Sequence, residues 1–182
     1  MPTNRKIEIN SLNEIPEQYR NTPISLLLEY HNLDRPFENY TSAQLLIGMC
    51  MDSRKHLHIP DNFAFIIRSG GANLRPNEFK VSYAIGVGGV TAIALIGHND
   101  CGMVNLLARK KLFVDGLCKN AGWSEQEAIE YFNTYSPIFE IGNEVDFVLS
   151  EAKRLRLRYP KIKVAPMIYN IQSNRISLLK ED

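Results

Sequence analysis

The 182-residue sequence lacks several features that would each indicate a particular class of protein. No apolar run approaches the roughly 20 residues that a membrane-spanning helix needs, and residues 1–18 contain no apolar core like that of a signal peptide. The net charge is only +1, so there is no electrostatic case for binding nucleic acid or an anionic membrane. We therefore predict a cytoplasmic protein that binds neither nucleic acid nor membrane.

Cysteine is also scarce, and the sequence contains no internal repeat or low-complexity tract. Its three cysteines are Cys50, Cys101 and Cys118. In a reducing compartment, cysteines are free thiols or metal ligands more often than disulfide partners. Cys118 has no partner at metal-ligand spacing, and we interpret it as structural.

Short apolar segments alternate with amphipathic ones along the chain. The segments predicted as strands are "SAQLLIGMC", "NFAFIIR", "VTAIALIGH", "KVAPMIYNI" and "RISLL". The segments predicted as helices are "TPISLLLEYHNL", "PNEFKVSYAIGVGG" (with Phe79, Tyr83 and Val87 on one face), "GMVNLLARKK", "SEQEAIEYFN" and "NEVDFVLSEAKRLRLRYP". This alternation predicts a single α/β domain, with a mostly parallel central β-sheet flanked by helices, over residues 23–182. Residues 1–22 are polar and lack periodicity, which predicts an N-terminal arm.

Two of the predicted strands end in chemically active side chains. Cys50, Asp52 and Arg54 stand at alternate positions after the first strand, and His98 and Cys101 follow the third. In parallel sheets, ligands bind beyond the carboxyl ends of the strands, so these side chains are expected to meet there. Two thiols and one imidazole are ligands that Zn²⁺ favours, and three protein ligands leave a fourth position open for water. Water bound there has a pKa near ~7, which makes hydroxide available at neutral pH.

Asp52 and Arg54 are predicted to act beside this zinc site. Two residues apart along an extended chain, Cys50 and Asp52 point the same way. Asp52 is then placed to accept a hydrogen bond from zinc-bound water, or to take the fourth position itself. Arg54 is expected to pair with Asp52 through two parallel hydrogen bonds. The simpler alternatives are a strand-end ion pair and two buried structural thiols.

Four segments resemble, in order, the motifs of the β-class carbonic anhydrases. They are "CMDSR", "RSGGAN", "GHNDCG" and "IYNIQSNRISLL", and the resemblance covers residues 40 to 180. It implies that Cys50, His98 and Cys101 bind Zn²⁺ and that Asp52 and Arg54 form the catalytic dyad. It also implies a parallel-centred α/β fold and a homodimer or larger homo-oligomer. The implied reaction is the reversible hydration of carbon dioxide to bicarbonate and a proton by zinc-bound hydroxide.

Close relatives in that family hydrolyse carbonyl sulfide or carbon disulfide with the same ligands, so this activity stays open as an alternative. A zinc-stabilised oligomeric binding protein with little activity is a second alternative. The chain departs from the family at Ser69 and Gly70, where the family reads Asn-Ala before a glycine that Gly71 matches, and at Asn170, where the family reads aspartate. The backbone around Gly70 and Gly71 is nevertheless expected to form part of the substrate pocket.

Three histidines remain outside the predicted ligand set. His56 and His58 lie close to the "CMDSR" motif, where they are either solvated loop residues or proton relays, since histidine titrates near neutral pH. His31 belongs to a predicted helix, and we interpret it as a packing residue.

Overall fold

The computed structural model describes residues 5–181. Within that range, the strands are β1 (Lys6–Ile7), β2 (Leu45–Met49), β3 (Ala64–Arg68), β4 (Ala92–His98), β5 (Lys163–Asn170) and β6 (Arg175–Leu179). The α-helices are α1 (Pro23–Leu33), α2 (Glu78–Gly86), α3 (Lys110–Ala121), α4 (Glu125–Phe139) and α5 (Glu144–Arg158). None of the helices in this range has the length and apolar character needed to cross a membrane.

The strands form one six-stranded sheet in the order β1-β6-β5-β4-β2-β3. Strands β3, β2, β4 and β5 are parallel, whereas β6 and β1 are antiparallel to their neighbours. This arrangement confirms the predicted α/β fold with a mostly parallel sheet. Because β2 and β4 are adjacent and parallel, their carboxyl ends lie side by side, with Met49 opposite Ile96.

Both faces of the sheet are covered, because alternate residues of a strand point to opposite sides. Ile47 of β2 and Ala94 of β4 belong to the apolar core on the α1 side. Leu46 and Ile93 belong to the core on the other side, which α2 and α5 cover. Strands buried on both faces are nearly continuous apolar runs, and this is why β2 and β4 could be recognised in the sequence.

The segment before α1 packs on the first of these cores. Ile9 and Ile15 are fully buried there together with Tyr19, and β1 extends the sheet beside β6. Residues 1–4 of the predicted arm lie outside the described range. The division of the chain at residue 22 stays a prediction.

The helix predicted over 102–111 is wrong. Asn105 adopts left-handed backbone angles, with φ of 52°, which interrupt any helix through this position. A single 3₁₀ turn covers Leu106–Arg109, and α3 then runs over Lys110–Ala121. Only Val114 of α3 is buried, so the sequence of this helix gives little apolar periodicity to recognise.

The predicted apolar face of α2 is exposed to solvent. Phe79, Tyr83 and Val87 are 83%, 53% and 70% exposed, whereas Val81 and Ala84 face the core. The helix itself is confirmed. Its most apolar face does not pack on the sheet and is available to a partner.

Candidate metal site

The structure brings Cys50, His98 and Cys101 together at the carboxyl edge of the sheet. Cys50 directly follows β2, His98 is the last residue of β4, and Cys101 lies in the turn after it. One ligand atom from each residue lies within 4.8 Å of the other two, and all three residues are buried. The two sulfur atoms are 3.9 Å apart.

This geometry fits a zinc ion better than it fits a disulfide. Two thiolates bound to tetrahedral zinc at the usual Zn–S length are about 3.8 Å apart, whereas bonded sulfurs are about 2.05 Å apart. The Nδ1 atom of His98 lies 2.9 Å from the carbonyl oxygen of Asn99. An Nδ1–H group donating to that carbonyl leaves Nε2 as the free ligand atom, and Nε2 is buried without a hydrogen-bond partner. This orientation by a backbone acceptor is typical of metal-binding histidines.

The start of α5 fixes the turn that carries Cys101. A side chain at Gly97 would bring its Cβ within 2.7 Å of Val148 Cγ2, so glycine there allows α5 to lie close against the end of β4. Glu144, the first residue of α5, then accepts a hydrogen bond from the backbone N–H of Cys101 at 3.1 Å. The position of Cys101, a candidate metal ligand, is therefore fixed through its own backbone N–H group.

The two neighbouring thiols shift each other's pKa in opposite directions. The hydrogen bond with Cys101 lowers the pKa of Cys50, and the nearby imidazole of His98 adds to this effect against the opposing effect of burial. The same hydrogen bond, together with burial, raises the pKa of Cys101. A metal ion bound by this pair would therefore have to compete with a proton, because a cysteine binds zinc as its thiolate.

Asp52 and Arg54 form a bidentate pair beside this group. Arg54 Nε donates to Asp52 Oδ1 at 3.0 Å, and Arg54 Nη2 donates to Asp52 Oδ2 at 2.8 Å. These bonds hold the pKa of Asp52 below its usual range and raise the pKa of Arg54. Asp52 Oδ2 lies 3.9 Å from Nε2 of His98, so the carboxylate faces the position where a metal would sit.

A turn, and not an extended strand, brings this pair together. Strand β2 ends at Met49, and the chain turns at Ser53 and Arg54. The backbone N–H of Arg54 donates to Asp52 Oδ1 at 2.9 Å. The extended chain expected at Cys50 and Asp52 therefore does not continue to Arg54, because the side chain of Asp52 closes a turn there.

Three charged residues at the site were not identified in the sequence. Arg54 also donates to the carboxylate of Asp100 at 2.7 Å and to its carbonyl oxygen at 3.0 Å, which ties the two ligand-bearing loops together. Lys55 and Arg68 both donate to the carbonyl oxygen of Asp52, at 3.2 and 3.3 Å. Asp100 and Arg68 could have been suspected as site residues, because they lie inside "GHNDCG" and "RSGGAN", but the sequence does not reveal their contacts.

Gly70 and Gly71 lie in a buried 3₁₀ turn after β3, where Gly71 has a φ of +64°. A side chain at Gly70 would bring its Cβ within 3.0 Å of Met103 Sδ and 3.3 Å of Phe139 Cδ1. Gly70 borders a cavity of about 280 Å³ with a mostly apolar lining. The lining includes Met51, Met103, Leu106, Phe132 and Phe139. Met103 also packs against the buried cluster of Cys50, Cys101 and Ile141, so the cavity adjoins the candidate metal site.

The histidines and the third cysteine that the sequence analysis considered are not part of the candidate ligand set. The backbone N–H of His58 donates to His31 Nδ1 at 3.0 Å, and the ring of His58 lies 4.5 Å from that of Phe37. His56 contacts the hydroxyl of Tyr169 through its backbone atoms only. A proton-relay role for His56 or His58 stays a prediction. Cys118 lies on α3 as a free thiol, apart from the metal group.

Asn170 performs with an amide oxygen the local role that a carboxylate would have. Its Oδ1 accepts hydrogen bonds from the backbone N–H groups of Gln172 and Ser173, both at 2.9 Å. Asn99 Oδ1 accepts from the N–H of Ile171 at 2.8 Å, which joins this turn to the loop between His98 and Cys101. Asparagine at position 170, where the family reads aspartate, therefore still stabilises the turn after β5.

Comparison with solved structures decides the fold family. The protein is similar to β-carbonic anhydrase isoform I from Trichomonas vaginalis, with a TM-score of 0.65 and 17% identity over 82% of this chain and 90% of that one. The chain has the β-carbonic anhydrase fold. Carbonic anhydrase from Glaciozyma antarctica gives a TM-score of 0.61 at 16% identity, covering 76% of this chain and 84% of that chain.

The same fold occurs in a hydrolase. The metal-free form of a carbon disulfide hydrolase gives a TM-score of 0.53 at 21% identity over 74% of this chain and 77% of that one. Comparisons with family models and with curated protein sequences gave no match. The β-carbonic anhydrase fold is thus established by structure, and the activity is inferred from the site.

Proposed function

We propose that the protein is a zinc-dependent lyase that reversibly hydrates carbon dioxide to bicarbonate and a proton. The observation that carries this proposal is the approach of Cys50 Sγ, His98 Nε2 and Cys101 Sγ, with the carboxylate of Asp52 3.9 Å from the histidine nitrogen. Three protein ligands with a carboxylate beside the open position are what a catalytic zinc site requires. A purely structural zinc site is usually closed by a fourth protein ligand.

Zinc bound there would lower the pKa of a water ligand to about 7 and so supply hydroxide at neutral pH. Asp52 is placed to accept a hydrogen bond from that water and to orient it toward the substrate. Arg54 keeps Asp52 ionised and holds its carboxylate back from the metal position through the two hydrogen bonds at 3.0 and 2.8 Å. The link from Arg54 to Asp100 keeps both ligand-bearing loops in register.

The apolar cavity beside the site supports a small neutral substrate. Carbon dioxide is apolar and uncharged, and a mostly apolar space of about 280 Å³ next to the thiols admits it while offering little to an ion. We place substrate binding where this cavity reaches Gly70, next to Gly71 in the same turn. Bicarbonate, being anionic, is then released more readily than it is held.

Hydrolysis of carbonyl sulfide or carbon disulfide is the second candidate. The thioethers of Met51 and Met103 line the cavity, and polarisable sulfur suits a sulfur-containing substrate. The similarity in fold to a carbon disulfide hydrolase is compatible with this alternative.

We further propose that the protein is a cytoplasmic homodimer or larger homo-oligomer. Strand β3 is an edge strand, and its Phe65 and Ile66 are 38% and 47% exposed beside Phe79 and Tyr83 of α2. An apolar patch on an open sheet edge is suited to pairing with a second copy of the same chain. A reducing compartment would keep both site thiols available to the metal.

The test is a stopped-flow assay of zinc-loaded protein with carbon dioxide, carbonyl sulfide and carbon disulfide run in parallel. We expect the highest rate per bound zinc with carbon dioxide. A higher rate with either sulfur compound would favour the second candidate. Zinc-loaded protein that is inactive on all three substrates would refute both and favour the binding-protein alternative.

A further inference from the structure

The apolar cavity beside the candidate metal site is larger than carbon dioxide requires. Its volume is about 280 Å³, whereas an apolar cavity of about 150 Å³ already holds benzene. Beyond Gly70 the lining continues onto α3 and α4, where the rings of Phe113, Tyr131 and Phe132 form the walls. Tyr131 and Tyr135 are 44% and 45% exposed, so the cavity opens to solvent beside them. It therefore has room for a molecule the size of a substituted benzene.

One polar atom in this apolar lining has no hydrogen-bond partner. Ser136 lines the cavity and is 5% exposed, and its Oγ is unpartnered within the part of the chain that the structure describes. A serine or threonine inside a helix can bond its hydroxyl to the carbonyl four residues back. Thr134 on the same helix does so, donating to the carbonyl oxygen of Glu130 at 2.9 Å. The hydroxyl of Ser136 is not used in this way and remains free to bond a molecule in the cavity.

The rest of the lining defines the chemistry of such a molecule. Buried polar groups are hydrogen-bonded as a rule, because a buried group loses its bonds to water. A ligand with one hydroxyl or carbonyl group would supply the missing partner of Ser136 Oγ, since a serine hydroxyl both donates and accepts. None of the residues that line the cavity is charged, so an ion would find no counter-charge there. Aromatic rings and the thioethers of Met51 and Met103 instead favour contact with an apolar ring.

We propose that this cavity is a binding site for a neutral, ring-containing alcohol or ketone whose polar group bonds Ser136 Oγ. The site goes beyond the hydration of carbon dioxide, because neither the metal ligands nor Asp52 takes part in the binding. A molecule held there lies beside Gly70, where we place carbon dioxide, and would therefore compete with it. That competition is the one consequence that rests on the proposed function.

The test compares benzyl alcohol with ethylbenzene, which has a similar shape but a methyl group in place of the hydroxyl. Titration calorimetry measures the binding of each probe to the full-length protein with one equivalent of zinc, for wild type and Ser136→Ala. A hydrogen bond between neutral groups contributes up to about tenfold to a binding constant. We expect wild type to prefer benzyl alcohol over ethylbenzene by about tenfold more than Ser136→Ala does. The matched control is Thr134→Ala, which removes a hydroxyl of the same helix outside this cavity and should bind both probes as wild type does.

The position of the bound probe is read from the NMR signals of the methionine methyl groups. Met51 and Met103 line the cavity, whereas Met49 and Met167 are fully buried in the core on the α1 side. Benzyl alcohol should shift the signals of the first pair and leave those of the second pair in place. Binding without these shifts would overturn the proposal.

Two results of the calorimetry would also overturn it. One is a preference for benzyl alcohol that is unchanged in Ser136→Ala, and the other is no binding of benzyl alcohol up to its solubility limit. Both measurements are independent of catalysis. Protein that binds benzyl alcohol at Ser136 but hydrates no carbon dioxide would refute the proposed function and support this site.

Discussion

Replacing Arg54 with alanine should inactivate the enzyme by releasing Asp52 onto the metal. Asp52 Oδ2 lies 3.9 Å from His98 Nε2. A carboxylate oxygen and a histidine nitrogen bound to the same tetrahedral zinc are about 3.4 Å apart. The carboxylate is therefore only about 0.5 Å farther from the histidine nitrogen than a fourth ligand would be. In the native protein, the two hydrogen bonds from Arg54 hold it there.

In Arg54→Ala, Asp52 should occupy the open position and exclude the water that reacts. We expect the hydration rate per bound zinc at pH 7.5 to fall ~10²–10⁴-fold, the range typical of lost positioning and acid–base roles. Zinc content should stay near wild type, because the bound carboxylate adds a ligand. The assay is stopped-flow hydration on protein whose zinc content has been measured, and the visible spectrum of the cobalt-substituted protein reports the change of ligand.

The matched control is Arg158→Ala, which removes an arginine of α5 whose Nε lies 3.0 Å from the carboxylate of Glu78 on α2. This ion pair lies at the end of α5 that precedes β5, away from the carboxyl edge that carries the metal site. The control should keep its activity. An Arg54→Ala variant with a normal rate, or with an unchanged cobalt spectrum and a lost rate, would refute the idea that Arg54 restrains Asp52.

Three further predictions follow from the site and the exposed face of α2. Asp52→Asn should lower the hydration rate per bound zinc ~10²–10⁴-fold at unchanged zinc content, because the amide keeps the shape of the side chain but is a weaker hydrogen-bond acceptor. A rate equal to that of wild type would remove Asp52 from the mechanism. Cys101→Ser should lose most of its zinc on dialysis while Cys118→Ser keeps it, and full zinc retention in Cys101→Ser would mean that the ligands are wrongly assigned. The zinc affinity of the wild-type protein should fall as the pH is lowered, because the raised pKa of Cys101 means that protons compete with the metal there. Phe79→Asp should shift sedimentation at micromolar concentration from dimer to monomer without unfolding the chain, because this side chain is 83% exposed in one chain. The control Leu157→Asp, at a site on α5 that is 77% exposed, should leave the dimer intact. A dimeric Phe79→Asp variant would refute the proposed interface.

The sheet was predictable from the sequence because its central strands are buried on both faces and are therefore continuous apolar runs. Helices α4 and α5 were predictable for a local reason. Ser124 and Glu127 form a capping box before α4, and Asn143 accepts a hydrogen bond from the N–H of Asp146 at the start of α5. The prediction of a helix over 102–111 was wrong because one residue, Asn105, adopts left-handed backbone angles. Its side chain is neither apolar nor charged, so it does not change the pattern from which the helix was predicted.

At the site, the three candidate metal ligands could be identified because the ends of adjacent parallel strands must meet. The other contributors depend on tertiary packing that no local pattern reveals. Lysine is normally solvated, so nothing near Lys55 in the sequence indicates that its side chain is buried. The second partner of Arg54, Asp100, depends on the left-handed turn at that residue, with φ of 58°. Tertiary packing likewise decides which face of α2 meets the sheet, and this leaves its predicted apolar face exposed.

Stepwise loading of metal-free protein with zinc tests the central claim most directly. The hydration rate and the bound zinc are measured on the same samples, from no zinc to excess. The site formed by Cys50, His98 and Cys101 predicts a rate that rises in proportion to bound zinc and saturates at about one zinc per chain. Metal-free protein with the full rate, or fully loaded protein no faster than the uncatalysed reaction with carbon dioxide, would contradict it.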